Sequence, residues 1–211
     1  MKCEININLD FTIIFWIIMN ELNTKYWSER YQKNQTGWDL GEVSQPLRTY
    51  FDQLKNKHLR ILIPGCGRGY EGIYLWRKGF KNVYFADFSV EAIKAIKEEI
   101  PEINDFQLLV KDFFDLDDKF DLIVEQTLFC AIHPRLREKY VQKTAELLVP
   151  TGKNIGLLFN RKFEGGPPFG GNKEEYIKLF SPNFNIVTME DCYNSVEQRK
   201  GTELFFIAEK S

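Results

Sequence analysis

The stretch Ile61-Leu-Ile-Pro-Gly-Cys-Gly-Arg-Gly-Tyr-Glu71 decides the fold. Apolar residues run up to Ile63 and stop. A proline follows, and then glycines at 65, 67 and 69. A second apolar run, Val83-Tyr-Phe-Ala86, ends in Asp87. The order is strand, glycine turn, helix, strand, acid. Glycine lets the backbone pass close under a ligand where a Cβ would collide. A carboxylate at the end of the next strand can accept from both hydroxyls of a ribose. This is the layout of a nucleoside-cofactor site at the carboxyl edge of a parallel sheet.

Working outward, strand-like runs lie near 59–63, 82–87, 106–110, 120–125, 154–159, 185–190 and 203–209. The first four are short, rich in Ile, Leu, Val, Phe and Tyr, and do not alternate strictly, as expected of strands buried on both faces. Helical stretches lie near 44–56, 70–79, 89–99, 134–148 and 173–180. Ser89 is placed to cap a helix whose apolar stripe is Ala92, Ile93, Ile96 and Ile100, and Pro101 closes it. Pro150-Thr-Gly152 is expected to end the 134–148 helix. The last two strands are joined by a polar loop, Cys192 to Gly201, without a helical pattern. A hairpin there puts one antiparallel strand into a mostly parallel sheet. The expected fold class is therefore α/β: a single doubly wound seven-stranded sheet, mostly parallel, with one antiparallel strand near the C-terminus.

The chain has 211 residues, which suits one domain with a sizeable core. Its net charge of −2 gives no basic footprint for nucleic acid. Four scattered cysteines (Cys3, Cys66, Cys130, Cys192) form no CxxC pair, which argues against a zinc site or a disulfide framework and suits a reducing cytoplasm. Phe11 to Met19 is almost wholly apolar but shorter than the roughly 20 residues that span a bilayer. It also lacks the basic n-region and cleavage site of a signal peptide. No membrane partner is expected. Residues 1–18 read as an N-terminal extension outside the fold, with translation starting at Met19, and 19–211 as the folded domain. A monomer or weak oligomer is expected.

Two cofactor readings compete for the glycine turn. Gly67-Arg-Gly-Tyr-Glu-Gly72 matches G-x-G-x-x-G with Asp87 near the acid position, which is the fingerprint of an NAD(P)-dependent oxidoreductase. Gly67, however, lies four residues past Ile63, and a dinucleotide fingerprint starts almost at the strand end. Gly65-Cys-Gly-Arg-Gly69 is the better-registered turn, and a G-x-G-x-G turn suits S-adenosylmethionine, which has no pyrophosphate to seat. Lys111-Asp-Phe-Phe114 follows the third strand on the ligand side. Asp112 there can accept from an adenine amino group, and Phe113 can cover a ring face. Trp27, Tyr31 and Trp38 are spaced by four and seven, as on one helix stripe, but Gln35-Thr-Gly37 breaks a helix before Trp38. An aromatic flap that excludes water, with rings able to meet a sulfonium, fits this segment.

In these pieces the chain resembles the thiopurine S-methyltransferase family of class I methyltransferases, most closely its thiol, thiocyanate and halide methyltransferase branch. The matching stretches are Tyr26-Trp-Ser-Glu-Arg-Tyr-Gln-Lys-Asn-Gln-Thr-Gly-Trp38, the Ile-Pro-Gly-Cys-Gly turn, Asp112-Phe-Phe114, Phe120-Asp-Leu-Ile-Val-Glu-Gln-Thr-Leu-Phe-Cys-Ala-Ile132 and Gly165-Gly-Pro-Pro-Phe169. The resemblance implies a Rossmann-like fold and methyl transfer from S-adenosylmethionine to a small soft nucleophile. It implies cofactor packing by Trp27, Tyr31 and Trp38, a methionyl contact at Gly65 and a ribose contact at Asp87. It further implies adenine contacts at Asp112 and Phe113 and another cofactor contact at Gln126. Two positions depart from the pattern. Glu125-Gln126 stands where the thiol and halide branch usually has Asp-Tyr, and Tyr31 is usually tryptophan. The first departure bears on substrate preference, and it leaves a non-catalytic cofactor-binding domain as a further alternative.

Methyl transfer from a sulfonium is an in-line displacement. Soft nucleophiles such as thiolates, hydrosulfide, thiocyanate and iodide are already anionic, so positioning can carry the reaction without a strong base. The chain agrees in having only two histidines and no evident acid/base pair. His133, in Cys130-Ala-Ile-His-Pro134 after the fourth strand, can orient or deprotonate a thiol, although loop histidines are ordinarily surface residues. Cys130 can touch a substrate, although buried free cysteines are ordinarily packing residues. Arg161 can attract an anion. Phe169, beyond the glycines and prolines of a lid, can wall the substrate pocket. No metal cluster is visible.

Overall fold

The computed structural model describes residues 22–33 and 35–211. The proposed extension and the start at Met19 lie outside them. An N-terminal segment carries α1 (Thr24–Gln32) and α2 (Gln45–Phe51). Then follow β1 (Ile61–Pro64), α3 (Tyr70–Arg77), β2 (Val83–Asp87), α4 (Val90–Glu99), β3 (Leu108–Val110) and β4 (Phe120–Gln126). The second half contains α5 (Leu128–Ala131), α6 (Arg137–Leu147), β5 (Leu148–Phe159), α7 (Lys173–Phe180), β6 (Phe184–Asp191) and β7 (Glu203–Lys210). The seven strands form one sheet in the order β3-β2-β1-β4-β5-β7-β6. β7 runs antiparallel to both of its neighbours, and the other pairings are parallel.

Period-two alternation divides the apolar strands between two cores. Leu62 and Ile123 face a cluster with Phe129, Tyr140, Tyr176 and Phe180, which belong to α5, α6 and α7. Ile61, Ile63 and Val124 face the opposite cluster, with Leu47, Trp76 and Ile96 from α2, α3 and α4. All four residues of β1 are buried, which is why the strand reads as an unbroken apolar run. β3 is the exception among the first four strands. It is three residues long, lies at the sheet edge and leaves Val110 48% exposed. Ser89 caps α4 as expected, accepting from the Ala92 N–H at 3.2 Å.

Three boundaries differ from the sequence expectation, each for a visible reason. The helix expected over 44–56 ends at Phe51. Its C-cap Asp52 is taken up by the Tyr74 hydroxyl at 2.6 Å and Lys78 at 2.7 Å. β5 starts at Leu148 instead of 154, because the buried Leu148 already pairs with Phe120. The Pro150–Gly152 kink is absorbed as a register shift, with Thr151 at φ 62°. Leu128 to Ile132, to which the sequence reading assigns no element, forms α5 after Thr127 turns the chain at φ 71°.

Candidate active site

The carboxyl ends of the parallel strands open on one cavity of about 870 Å³. The turn after β1 forms its floor. Gly65, Gly67 and Gly69 have φ values of 57°, 51° and 71°, a conformation that costs an L side chain about 1–2 kcal/mol. Every second residue is thus the unusual one, as G-x-G-x-G requires. Gly72 serves packing instead. It lies within α3, where a Cβ would sit 2.2 Å from the Phe85 ring. It lets the helix pack on β2 and is not part of the turn.

Asp87 ends β2 and holds the turn in shape. Its Oδ2 accepts from the Gly67 N–H at 3.0 Å and its Oδ1 from the Ser89 N–H at 2.9 Å. Burial raises its carboxyl above the usual range, and the N–H groups of Ser89, Gly67 and Phe88 pull it back down. Each oxygen keeps acceptor capacity toward the cavity. Asp112 follows β3 and caps a turn of 3-10 helix, accepting from the Phe114 N–H at 2.9 Å. Phe113 is buried against Tyr140, with ring centroids 5.0 Å apart, and still lines the cavity.

The flap lies across this floor. Asn23 caps α1 by accepting from the Tyr26 N–H at 3.1 Å. Trp38 meets Trp27 and Tyr31 edge-on, at 5.3 and 6.0 Å. The flap approaches the glycine turn so closely that a Cβ on Gly67 would be 2.7 Å from the Tyr31 hydroxyl. Burial raises the pKa of that hydroxyl, and the Asp87 charge adds to the effect. Two arginines pin the flap. Arg199 donates to the Trp38 carbonyl at 2.8 Å, and Arg68 pairs with Asp39 at 2.9 Å. Arg199 is itself paired with Glu203 at 3.2 Å, their side chains only 10% and 4% exposed.

Gly67 and Gln126 lie outside the large cavity, in an adjoining pocket of about 60 Å³ that also includes Gly65, Glu71, Tyr31 and Trp38. The Gln126 Oε1 there is a buried acceptor without a partner. Glu71 is buried, accepts from the Ser44 N–H at 3.2 Å, and has its carboxyl pushed up by desolvation. This pocket is short of a donor and suits an ammonium group.

The opposite wall is built from α5 and the lid. The Cys130 thiol donates to the Thr127 carbonyl at 3.1 Å, and burial raises it to about 12, so it is a neutral thiol and not a nucleophile. The His133 Nδ1 accepts from the Arg135 N–H at 3.3 Å, which leaves Nε2 as the free ring atom. Partial desolvation, with Arg135 and Arg137, lowers its pKa, so the ring is neutral at pH 7. Phe169 packs edge-on against His133 at 5.5 Å, and its N–H donates to the Cys130 carbonyl at 2.7 Å. It stands behind the wall, whose surface is Phe163, Pro167 and Pro168. Arg137 fastens the lid by donating to the carbonyls of Phe169 and Gly170, both at 3.0 Å. Arg161 lies at the exposed rim, with its guanidinium 4.6 Å above Phe163.

The structure therefore gathers Trp27, Tyr31, Trp38, Gly65, Asp87, Asp112, Phe113, Cys130, His133 and Arg161 around one cavity. Sequence reading missed Arg30, Arg199 and Phe163. Arg30 lies three residues after Trp27 on α1 and so neighbours it on the helix surface, a signal that was available. Arg199 carried none, because its partner Trp38 lies 161 residues away.

The profile of the thiopurine S-methyltransferase family matches residues 22–210 of this sequence. The chain belongs to this family. Relatives within and around it include a protein named probable thiol methyltransferase 2 from Arabidopsis thaliana. It is 31% identical over 197 residues, covering 90% of this chain and 87% of that protein. Thiocyanate methyltransferase 1 of Brassica oleracea is 29% identical, covering 84% of this chain and 81% of the relative. Among solved structures, the 1,6-didemethyltoxoflavin-N1-methyltransferase of Burkholderia thailandensis superposes with a TM-score of 0.70 at 17% identity, over 92% of this chain and 89% of that one. At that identity the likeness speaks to the fold alone. This thiopurine S-methyltransferase family member is an S-adenosylmethionine-dependent methyltransferase, and the nicotinamide alternative falls away with that assignment.

Proposed function

We propose that the enzyme methylates a small, soft, anionic nucleophile: a thiolate, hydrosulfide, thiocyanate, halide or thiopurine sulfur. The carrying observation is a pair of cavity-lining guanidiniums, Arg30 and Arg161, that have ring contacts but, among the described residues, no carboxylate partner. The Arg30 Nε is a buried donor without an acceptor. Charges left unpaired beside an apolar cavity favour an anionic guest. The relatives named for thiol and thiocyanate methylation support the same class.

Bound S-adenosylmethionine supplies an electrophilic methyl on a sulfonium. Its ribose falls to Asp87, its adenine to Asp112 and Phe113, and its amino group to Gln126 and Glu71 below Gly65 and Gly67. Trp27, Tyr31 and Trp38 cover it, exclude water and offer ring faces or edges near a cation. The acceptor side is the α5–lid wall. Arg161 and Arg30 draw the anion in, and Phe163, Pro167, Pro168 and His133 hold it in line. With the acceptor already anionic, His133 is needed only to orient it, and because its Nδ1 accepts from the Arg135 N–H, the free Nε2 does so as an N–H donor. Correct positioning of the two reactants is worth up to roughly 7–11 kcal/mol.

We place the enzyme in the cytoplasm, acting as a monomer or weak oligomer. The three described cysteines are free and buried. Among the described residues no helix is long and apolar enough to cross a membrane.

A headspace assay tests the reading. The protein, with S-adenosylmethionine, is given thiocyanate, iodide or hydrosulfide separately, and volatile methylated products are quantified. Product from at least one, reduced at least tenfold in Arg161→Gln, is expected. Silence with all three, while S-adenosylhomocysteine still binds, would sink the small-anion reading.

A further inference from the structure

Glu125 is a buried acid that the mechanism above does not use. It is 0% exposed at the end of β4 and has no salt bridge among the described residues. Its Oε1 accepts from the Phe129 N–H at 2.8 Å, and its Oε2 accepts from the Tyr140 hydroxyl at 2.6 Å. Thr127, at the N-cap position of α5, makes no side-chain cap bond and is held at φ 71°. The Glu125 side chain thus reaches forward over a strained turn and caps the one-turn helix itself. Across the sheet, Gly156 leaves it room, since a Cβ there would lie 2.2 Å from the Glu125 carbonyl oxygen. Around α5, Leu128, Cys130, Ala131, Ile132 and His133 line the cavity, while Phe129 anchors the helix in the core.

We propose that Glu125, held by Tyr140, is a positioning residue that sets α5 and thereby the acceptor wall of the active site. This rests on the reading of that wall as the acceptor side. The cap satisfies helix N–H groups that a four-residue helix cannot otherwise pair. The surroundings supply no competing cation. Cys130 on α5 is a neutral thiol. Arg137 on α6 is spent on the lid carbonyls and the Phe129 ring, with its guanidinium 4.6 Å from the centroid. Burial also lifts the Glu125 carboxyl to about 7, with Tyr140 and the N–H groups of Phe129 and Leu128 working against the rise. The cofactor floor, by contrast, is held by β1 and β2 and by the Cys66 N–H on the Ala86 carbonyl at 3.1 Å.

The test compares Glu125→Leu, Glu125→Gln and Tyr140→Phe in the full chain. Leucine keeps volume but removes both acceptors, whereas glutamine keeps one for Phe129. Expected for leucine are a KM for thiocyanate at least tenfold higher, S-adenosylhomocysteine affinity within threefold of the parent, and tenfold faster amide exchange at Phe129. Global stability should fall as well, since the buried Tyr140 hydroxyl and Phe129 N–H lose their acceptors, and the retained cofactor affinity is what separates the local effect on α5 from that general loss. Glutamine should restore most of the KM and the exchange protection. An unchanged KM and unchanged exchange in Glu125→Leu would overturn the proposal, as would equal loss of cofactor and acceptor binding. Should the leucine variant not fold, Tyr140→Phe decides: faster Phe129 exchange with a raised KM supports the role, and neither overturns it. Should the parent not methylate thiocyanate, the acceptor reading fails separately, and Phe129 exchange alone decides whether Glu125 sets α5.

Discussion

The two halves of the active site are held by different means. On the cofactor side, the turn after β1 is kept in place mainly by backbone, through glycines at positive φ and parallel pairing of β1 with β2, with the Asp87 carboxylate accepting the Gly67 N–H. On the acceptor side and in the flap, side chains do the holding: Glu125 on α5, Arg137 on the lid, and Arg199 on Trp38. A site fixed by backbone tolerates little change in conformation but much change in neighbouring side chains. A site fixed by side chains can be retuned one residue at a time, which suits the half that must recognise the acceptor.

Arg199→Met should break the side-chain half most severely. It leaves Glu203 buried and unpaired, which costs about 3–5 kcal/mol, and it releases the Trp38 carbonyl. Urea unfolding should show the loss, and calorimetry should show weaker S-adenosylhomocysteine binding. Unchanged stability would mean that the buried pair does not hold the flap.

Next in size is the pH dependence contributed by Glu125. Its folded pKa is raised from 4.5 to about 7. Between those values the folded state keeps a proton that the unfolded chain has released, so stability falls as pH rises through that window. The difference approaches roughly 3 kcal/mol above pH 7. Glu125→Gln should flatten this slope in melts run from pH 5 to 8. A variant with the parent's slope would assign the titration elsewhere.

The backbone half is probed by Gly67→Ala. The φ of 51° costs the new side chain about 1–2 kcal/mol, and its Cβ displaces the Tyr31 hydroxyl. Calorimetry should read at least tenfold weaker S-adenosylhomocysteine binding, with KM for the acceptor nearly unchanged. The smallest effect belongs to Lys33→Gln. It removes an exposed 3.0 Å pair with Glu29 and should leave the urea unfolding midpoint essentially unchanged.

The same contrast explains what could be read in the sequence. The β1 turn, Asp87, Ser89 and the single antiparallel strand were legible because they follow from local rules: glycine at positive φ, an N-cap, a polar hairpin loop. The aromatic flap was legible from spacing and from family resemblance. Arg199, Phe163 and the capping role of Glu125 were not, because each depends on a partner brought near only by the completed sheet. α5 was hidden for another reason. Leu128 to Ile132 is too short to show a helical period, and both the turn at Thr127 and the Glu125 cap that start the helix exist only in the folded sheet.

The two edges of the sheet carry a last consequence, for how molecules behave when crowded together. β3 ends the sheet with three residues, too few to template pairing with another chain despite the exposed Phe106 and Val110. β6, at the other end, is eight residues long and a better template. It is interrupted by a bulge between Ile186 and Thr188, and Lys173 pairs with its Glu190 at 2.7 Å. A short edge on one side and a kinked, charged edge on the other leave no straight ladder of free N–H and C=O groups for intermolecular β-stacking in concentrated solution.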